Sequence, residues 1–312
     1  MTRRELDAAG ITEPALRQAY SRCRELNAAH GRTYFLATRL LPPDRRPAVH
    51  ALYGFARYVD DLVDVPEADA TPERVLAGID AAEADLAAGL ATGTSAIPVV
   101  AAVADTARRH AIDPALFAAF LASMRMDLTV RDYPTRADLL RYTHGSARVI
   151  GLQLLPVLGT VTDPAEAAPR AAALGDAFQL TNFLRDIAED LDRGRVYLPA
   201  DELAAFGVDR DRLAWCRARR AVDPPVRAAL ADQIARTRAV YRTAAPGVAM
   251  LRPESRPCVA TAFTLYAEIL DRIEAMDHNV FAGRAAVATT RKVAVAVPAL
   301  LRARRARAGI SA

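Results

Sequence analysis

Between Leu174 and Pro199 the chain reads LGDAFQLTNFLRDIAEDLDRGRVYLP, and within it Gln179, Asn182, Asp186 and Asp190 recur at spacings of three, four and four. At 3.6 residues per turn these positions stack on one helix face. Leu180, Phe183, Leu184, Ile187 and Leu191 form an apolar body beside them. A solvated face favours mixed charges with Lys or Glu, so Gln, Asn and Asp in register beside Phe and Leu point to an internal cavity. The alternative is an ordinary surface helix with an acidic stripe.

Oxygen ligands of this kind suit a hard cation, and Mg2+ binds through one or two carboxylates plus substrate phosphates. Arg185, next to Asp186, is a planar donor fork suited to phosphate. A second stretch, ALYGFARYVDDLVD from Ala51 to Asp64, repeats the pattern. Asp60 and Asp64 share a face, Asp61 lies about 100° round the helix, and Arg57 precedes Asp60 by three. Ala51, Leu52, Phe55, Val59 and Val63 are its apolar body. Two such helices facing each other across a cavity would hold several Mg2+ ions bridging to a diphosphate.

The rest of the chain fits an all-α protein. Ala, Leu, Arg and Glu dominate, and alternating β-branched runs are scarce. Helices are expected at about Glu13–Ala29, Thr33–Leu41, Pro47–Val65, Pro98–Ala111, Pro114–Asp127, Arg136–Leu158, Pro169–Arg193, Pro224–Ala244 and Arg256–Met276. Thr71 before Pro72 reads as an N-cap, and Pro66–Pro72 as a loop. Gly145 and Gly151 inside one helix imply close packing or cavity space. No repeat, linker or composition break divides the 312 residues, so one domain over 1–312 is expected, a helical bundle around a central apolar cavity. The segment 302–312 reads as a flexible Arg-rich tail.

That tail carries much of the net charge of +4. It suits an anionic diphosphate, an anionic membrane surface, or plain solvent. Aromatics are not interleaved with the basic residues, so nucleic acid is not an expected partner. Cys23, Cys216 and Cys258 are scattered, which argues for a reducing cytosol and against a zinc site. The apolar run Val293–Leu301 is too short to span a bilayer and contains Pro298. The chain is read as cytoplasmic, soluble or peripheral at a membrane.

FARYVDDLVD and LGDAFQLTNFLRDIAEDLDRGRVYLP resemble the two aspartate-rich signatures of the squalene and phytoene synthase family, and the resemblance runs from HGRTYFLATRLLP at His30 to LYAEILDRIE at Leu265. It implies an isoprenoid synthase fold and a Mg2+-dependent head-to-head prenyltransferase. By resemblance Asp60 and Asp64 serve one metal cluster and Asn182 with Asp186 another. Asp61 and Asp190 support them, and Arg57 and Arg185 clamp phosphate. His30, Gly31, Arg32 and Thr33 would lie over one diphosphate, although the family's serine-rich start is replaced here. Gln179, Tyr53 and Tyr266 match substrate-pocket positions. A family arginine slot falls on Gly283, leaving Arg284 as the nearest substitute. In YTHGSARVIGL, His144 replaces a usual Tyr and Arg148 a small residue, as a phosphate contact or as a pocket constriction.

The expected reaction joins two geranylgeranyl diphosphates through a cyclopropylcarbinyl diphosphate to phytoene, with NADPH not expected. Rival readings are squalene or dehydrosqualene formation from farnesyl diphosphate, a divergent terpene synthase, and an inactive partner subunit. A di-iron bundle is set aside because no Glu-x-x-His occurs.

Overall fold

A computed structural model of the chain describes residues 3–64 and 71–308. Its first half runs α1 (Arg3–Ala8), α2 (Pro14–His30), α3 (Arg32–Thr38), α4 (Arg46–Asp64), α5 (Pro72–Thr92), α6 (Pro98–Arg109) and α7 (Pro114–Thr129). Next come α8 (Arg136–Thr143) and α9 (Val149–Leu158), joined by a π-helical turn at His144–Arg148, and then α10 (Pro164–Asp192). The chain closes with α11 (Ala200–Ala204), α12 (Arg210–Arg219), α13 (Pro224–Ala244), α14 (Gly247–Met250), α15 (Arg256–Ala275) and α16 (Thr289–Arg307). Among the described residues β-pairing is confined to two isolated bridges, Asp132 with Val196 and Thr160 with Leu251.

Several helices start where an oxygen-bearing side chain precedes a proline. The Asp113, Asp163 and Asp223 carboxylates accept from the backbone N–H of Ala115, Ala165 and Val226. Thr71 does the same for Arg74. The following Pro gives up an N–H that has no helical partner there anyway. This is why α10 begins at Pro164 and not at Pro169, which lies inside it. The expected loop over 66–72 falls mostly on residues 65–70, outside the described ones.

Two further expectations need correction. The single helix over 136–158 is split by the π turn, which inserts a residue and widens one turn. Gly145 sits there under α7: a Cβ would fall 2.0 Å from the Ala119 carbonyl oxygen. Gly151 and Gly175 make similar approaches to Ala171 and Ala147, so these glycines serve close backbone packing. Second, 302–307, read as part of a tail, forms the last part of helix α16. Ala296, Ala299 and Ala303 are buried along one side of that helix, and Arg307 donates to the Leu40 carbonyl. Residues 309–312 lie outside the described ones.

Three buried clusters hold the bundle. Tyr20, Phe55, Phe117 and Leu121 centre one among α2, α4, α6 and α7. Leu184, Leu213, Leu230 and Phe281 belong to a second around α10, α13 and α15. Leu41, Leu155, Leu158 and Leu251 form a third. The five apolar residues read on α4 are buried, as are Leu180, Phe183, Leu184 and Ile187 of α10. Both polar stripes thereby lie on faces other than those packed into the first two clusters.

Candidate active site

A cavity of about 310 Å³ lies between the two halves. Tyr34, Tyr53, Gln179 and Asn182 belong to its lining, and so do Leu41, Leu155, Leu158 and Leu251 of the third cluster. Tyr53 comes from α4 and Gln179 and Asn182 from α10, so both stripe-bearing helices wall one hollow.

The acidic groups beyond Tyr53 and Asn182 are electrostatically crowded. Burial, with Asp64 adding, pushes the Asp60 carboxyl up to about 7 against the opposing charge of Arg57. Burial and Asp186 push Asp190 up to about 8, and Asp64 from the other helix adds to that rise. The motifs therefore share one field across the hollow. Asp61 is paired with Arg57 on its own helix. Asp64 receives Arg195 at 3.0 Å, with Arg193 at 4.0 Å. Asp186 is held from two sides: Arg185 donates at 2.7 and 2.6 Å and Arg284 at 2.8 and 2.9 Å. Burial would raise Asp186, but these two guanidinium groups win and hold it below the usual carboxylate range.

The donor set fits a hard divalent cation. Asn182 Oδ1 is buried and accepts no hydrogen bond, while its Nδ2 donates to Gln179 Oε1 at 3.3 Å. Asp190, two turns further along α10, and Asp60 on α4 have raised affinity for protons, and a cation would stabilise their ionised forms. Among the described residues, no three acidic, His or Cys side chains converge tightly enough to cage an ion alone. An ion held here would take the rest of its shell from water and phosphate oxygens, as Mg2+ does.

Cationic groups surround this end. Arg57 Nε is buried and donates to nothing. Arg185 is kept charged by Asp186, which overcomes the effect of its burial. His30 and Arg32 are exposed at the α2–α3 junction, with Thr33 half-buried. Gly31 packs directly there: a Cβ would come within 2.8 Å of the Tyr53 ring. Tyr266 is buried behind the lining, its ring 4.9 Å from Tyr34 and 4.5 Å from Phe178. Arg284 engages Asp186, and Gly283 meets open space. Arg148 donates to Asp176 at 2.6 Å, so its charge is used between the π turn and α10. His144 is exposed.

Residues not singled out by pattern complete the site. Arg195, within GRVYLP, ties Asp64 to the Asp127 carbonyl at 3.2 Å. Lys292 of α16 is lowered by partial burial and by the nearby charges of Arg32 and Arg185. It is the only lysine in a chain otherwise using arginine, a signal that was available. Tyr34 and Phe178 were legible only as apolar helix positions.

Comparison with known proteins bears on this geometry. The family model described as squalene/phytoene synthase matches residues 27–291. The phytoene synthase of Arthrospira platensis is 38% identical over 304 residues, spanning 93% of this chain and 96% of that protein. The 15-cis-phytoene synthase of Synechococcus elongatus is 36% identical over 299 residues, with 93% and 94% spanned. Among solved structures, a ligand-bound dehydrosqualene synthase aligns with a TM-score of 0.82 at 26% identity, over 91% of this chain and 96% of that one. A squalene synthase from Alicyclobacillus acidocaldarius aligns at 0.76 and 26%, over 87% and 99%.

Proposed function

The chain belongs to the squalene/phytoene synthase family and is a prenyltransferase of the all-α isoprenoid synthase fold, and we propose that it joins two geranylgeranyl diphosphates head to head into phytoene. One observation supports the reading at this site: Arg195 donates from its side chain to Asp64 and from its backbone to the Asp190 carbonyl, while Tyr53, Gln179 and Asn182 of the same two helices line the apolar cavity. Asp60, Asp61 and Asp64 on α4 and Asn182, Asp186 and Asp190 on α10 would hold Mg2+. When bound, Mg2+ supplies Lewis-acid neutralisation of departing diphosphate.

The chain's own groups do the rest. Arg57, with its unused Nε, and Arg185 orient phosphate oxygens. His30, Gly31, Arg32 and Thr33 at the α2–α3 junction, with Lys292, make the rim that receives a second diphosphate. Arg284 steadies Asp186 and acts on the substrate through that carboxylate. The leucine-lined end accepts the prenyl chains and keeps water away from carbocations. Tyr34, Tyr53 and Phe178 line the cavity, and a ring face presented to that positive charge would be worth about 0.5–2 kcal/mol. Tyr266 positions Tyr34 and Phe178 from behind. Phytoene forms by proton loss, so this route uses no NADPH.

The whole chain would act as one domain in the cytoplasm, at a membrane surface. No described helix is long and apolar enough to cross a membrane. Incubation with Mg2+ and geranylgeranyl or farnesyl diphosphate, each with and without NADPH, tests the assignment by mass spectrometry of the hydrocarbon. A C40 product from the longer substrate without NADPH is expected. Exclusive consumption of farnesyl diphosphate would transfer the chain to the dehydrosqualene or squalene reading, and consumption of neither would support the inactive subunit.

A further inference from the structure

Six large apolar side chains are exposed among the described residues, and three of them lie on α16. Val293, Val297 and Leu301 are 52%, 53% and 54% exposed, and their spacing of four keeps them on one face. Ala294 and Pro298 are exposed between them. The opposite face is spent: Ala296, Ala299 and Ala303 are buried as α16 packs on α15 and α3. One turn beyond Leu301, Arg304 and Arg305 are exposed on the outward side, with Arg302 and Arg307 flanking. The helix contains no Asp or Glu.

The inner neighbours matter as much. Ala299 shares a buried cluster with Leu41, Leu155, Leu158 and Leu251, which wall the apolar end of the cavity.

We propose that α16 docks the protein on an anionic lipid surface. The helix lies in the plane of the interface, with Val293, Val297 and Leu301 among the acyl chains and the arginines against lipid phosphates. Two signals are needed, because three aliphatic side chains alone give weak, reversible attachment. A second copy of this chain is a poor occupant: a two-fold contact would set one wholly basic helix against another. The purpose of docking rests on the function proposed above, since an oily hydrocarbon product favours release into lipid. Vesicle binding is read without turnover, so either idea can fail alone.

The test sediments full-length protein with vesicles of phosphatidylcholine and of phosphatidylcholine mixed with phosphatidylglycerol. Binding to the anionic vesicles, weakening with added salt, is expected. Arg304→Gln with Arg305→Gln should weaken it about thirtyfold, and Val297→Gln with Leu301→Gln about tenfold. All four positions are exposed, so melting temperature and turnover of detergent-dispersed substrate should match wild type in both variants. Absence of binding to anionic vesicles at low salt, or wild-type pelleting by both variants, overturns the proposal. So does a wild-type dimer, seen by sedimentation velocity, that V297Q/L301Q converts to monomer.

Discussion

Arg195 illustrates how much one side chain can organise. It donates to Asp64 and to the Asp127 backbone, while the Asp127 carboxylate accepts from Tyr142 at 2.8 Å and Tyr197 at 2.9 Å. Through these bonds it sets the last carboxylate of the first acidic face against the helix bearing the second. We expect Arg195→Gln to weaken apparent Mg2+ affinity about 10–100-fold, the usual effect of losing a partner behind a metal ligand. A Mg2+ titration of turnover checks this, and an unshifted midpoint would leave Arg195 a purely structural group. His50 makes a different kind of prediction. It is buried, its Nδ1 lies 3.0 Å from Asn27 Nδ2, and burial pushes it from 6.5 down to about 3. Glu5 opposes that fall and Arg24 and Arg46 assist it. The unfolded chain gains this proton near pH 6.5 and the folded chain only near pH 3. The stabilisation is therefore complete above pH 6.5 and is lost as pH falls, at about 1.4 kcal/mol per pH unit. Urea midpoints measured across that range should show the slope, and His50→Asn should flatten it.

At the scale of elements, the π turn between α8 and α9 is where local pattern and packing part company. The HGSAR segment there sits within a helical period, and apart from Gly145 nothing in it announces a widened turn. Gly145 beneath Ala119 is the physical reason, because α7 comes closer than any side chain allows. Gly145→Ala should cost about 1–3 kcal/mol of overpacking, measured by chemical unfolding. A neutral result would mean that the turn can yield. The end of the chain shows the reverse case. Arg302–Arg307 reads as a solvated tail by charge, yet small alanines spaced along one side let it continue as helix against α3 and α15.

For the molecule as a whole, the bundle brings together carboxylates that repel. Asp60 and Asp190 both sit above their ordinary range because α4 and α10 bury them in one field. Mg2+ with inorganic diphosphate should relieve this. At a hundred times the dissociation constant such a ligand adds about 2.7 kcal/mol, a rise of several degrees in melting temperature. The two together should exceed the sum of each alone, since the ions bridge the helices through phosphate. EDTA should reverse the gain, and Asp60→Asn with Asp190→Asn should abolish it. A melt indifferent to both additions would count against the metal assignment.

Helix phase is a short-range property, settled within a few residues by 3.6-fold geometry, proline and capping oxygens. The all-α class, the apolar bodies of α4 and α10, and the stripes of Asp, Asn and Gln beside them could therefore be read from the chain alone. The family signatures supplied the chemistry that such stripes perform. Charge partnership is a long-range property: it depends on where helices far apart in sequence cross. Only the folded bundle decided that Arg195 meets Asp64, that Arg284 is spent on Asp186 and Arg148 on Asp176, and that Lys292 turns inward while Val293, Val297 and Leu301 face out.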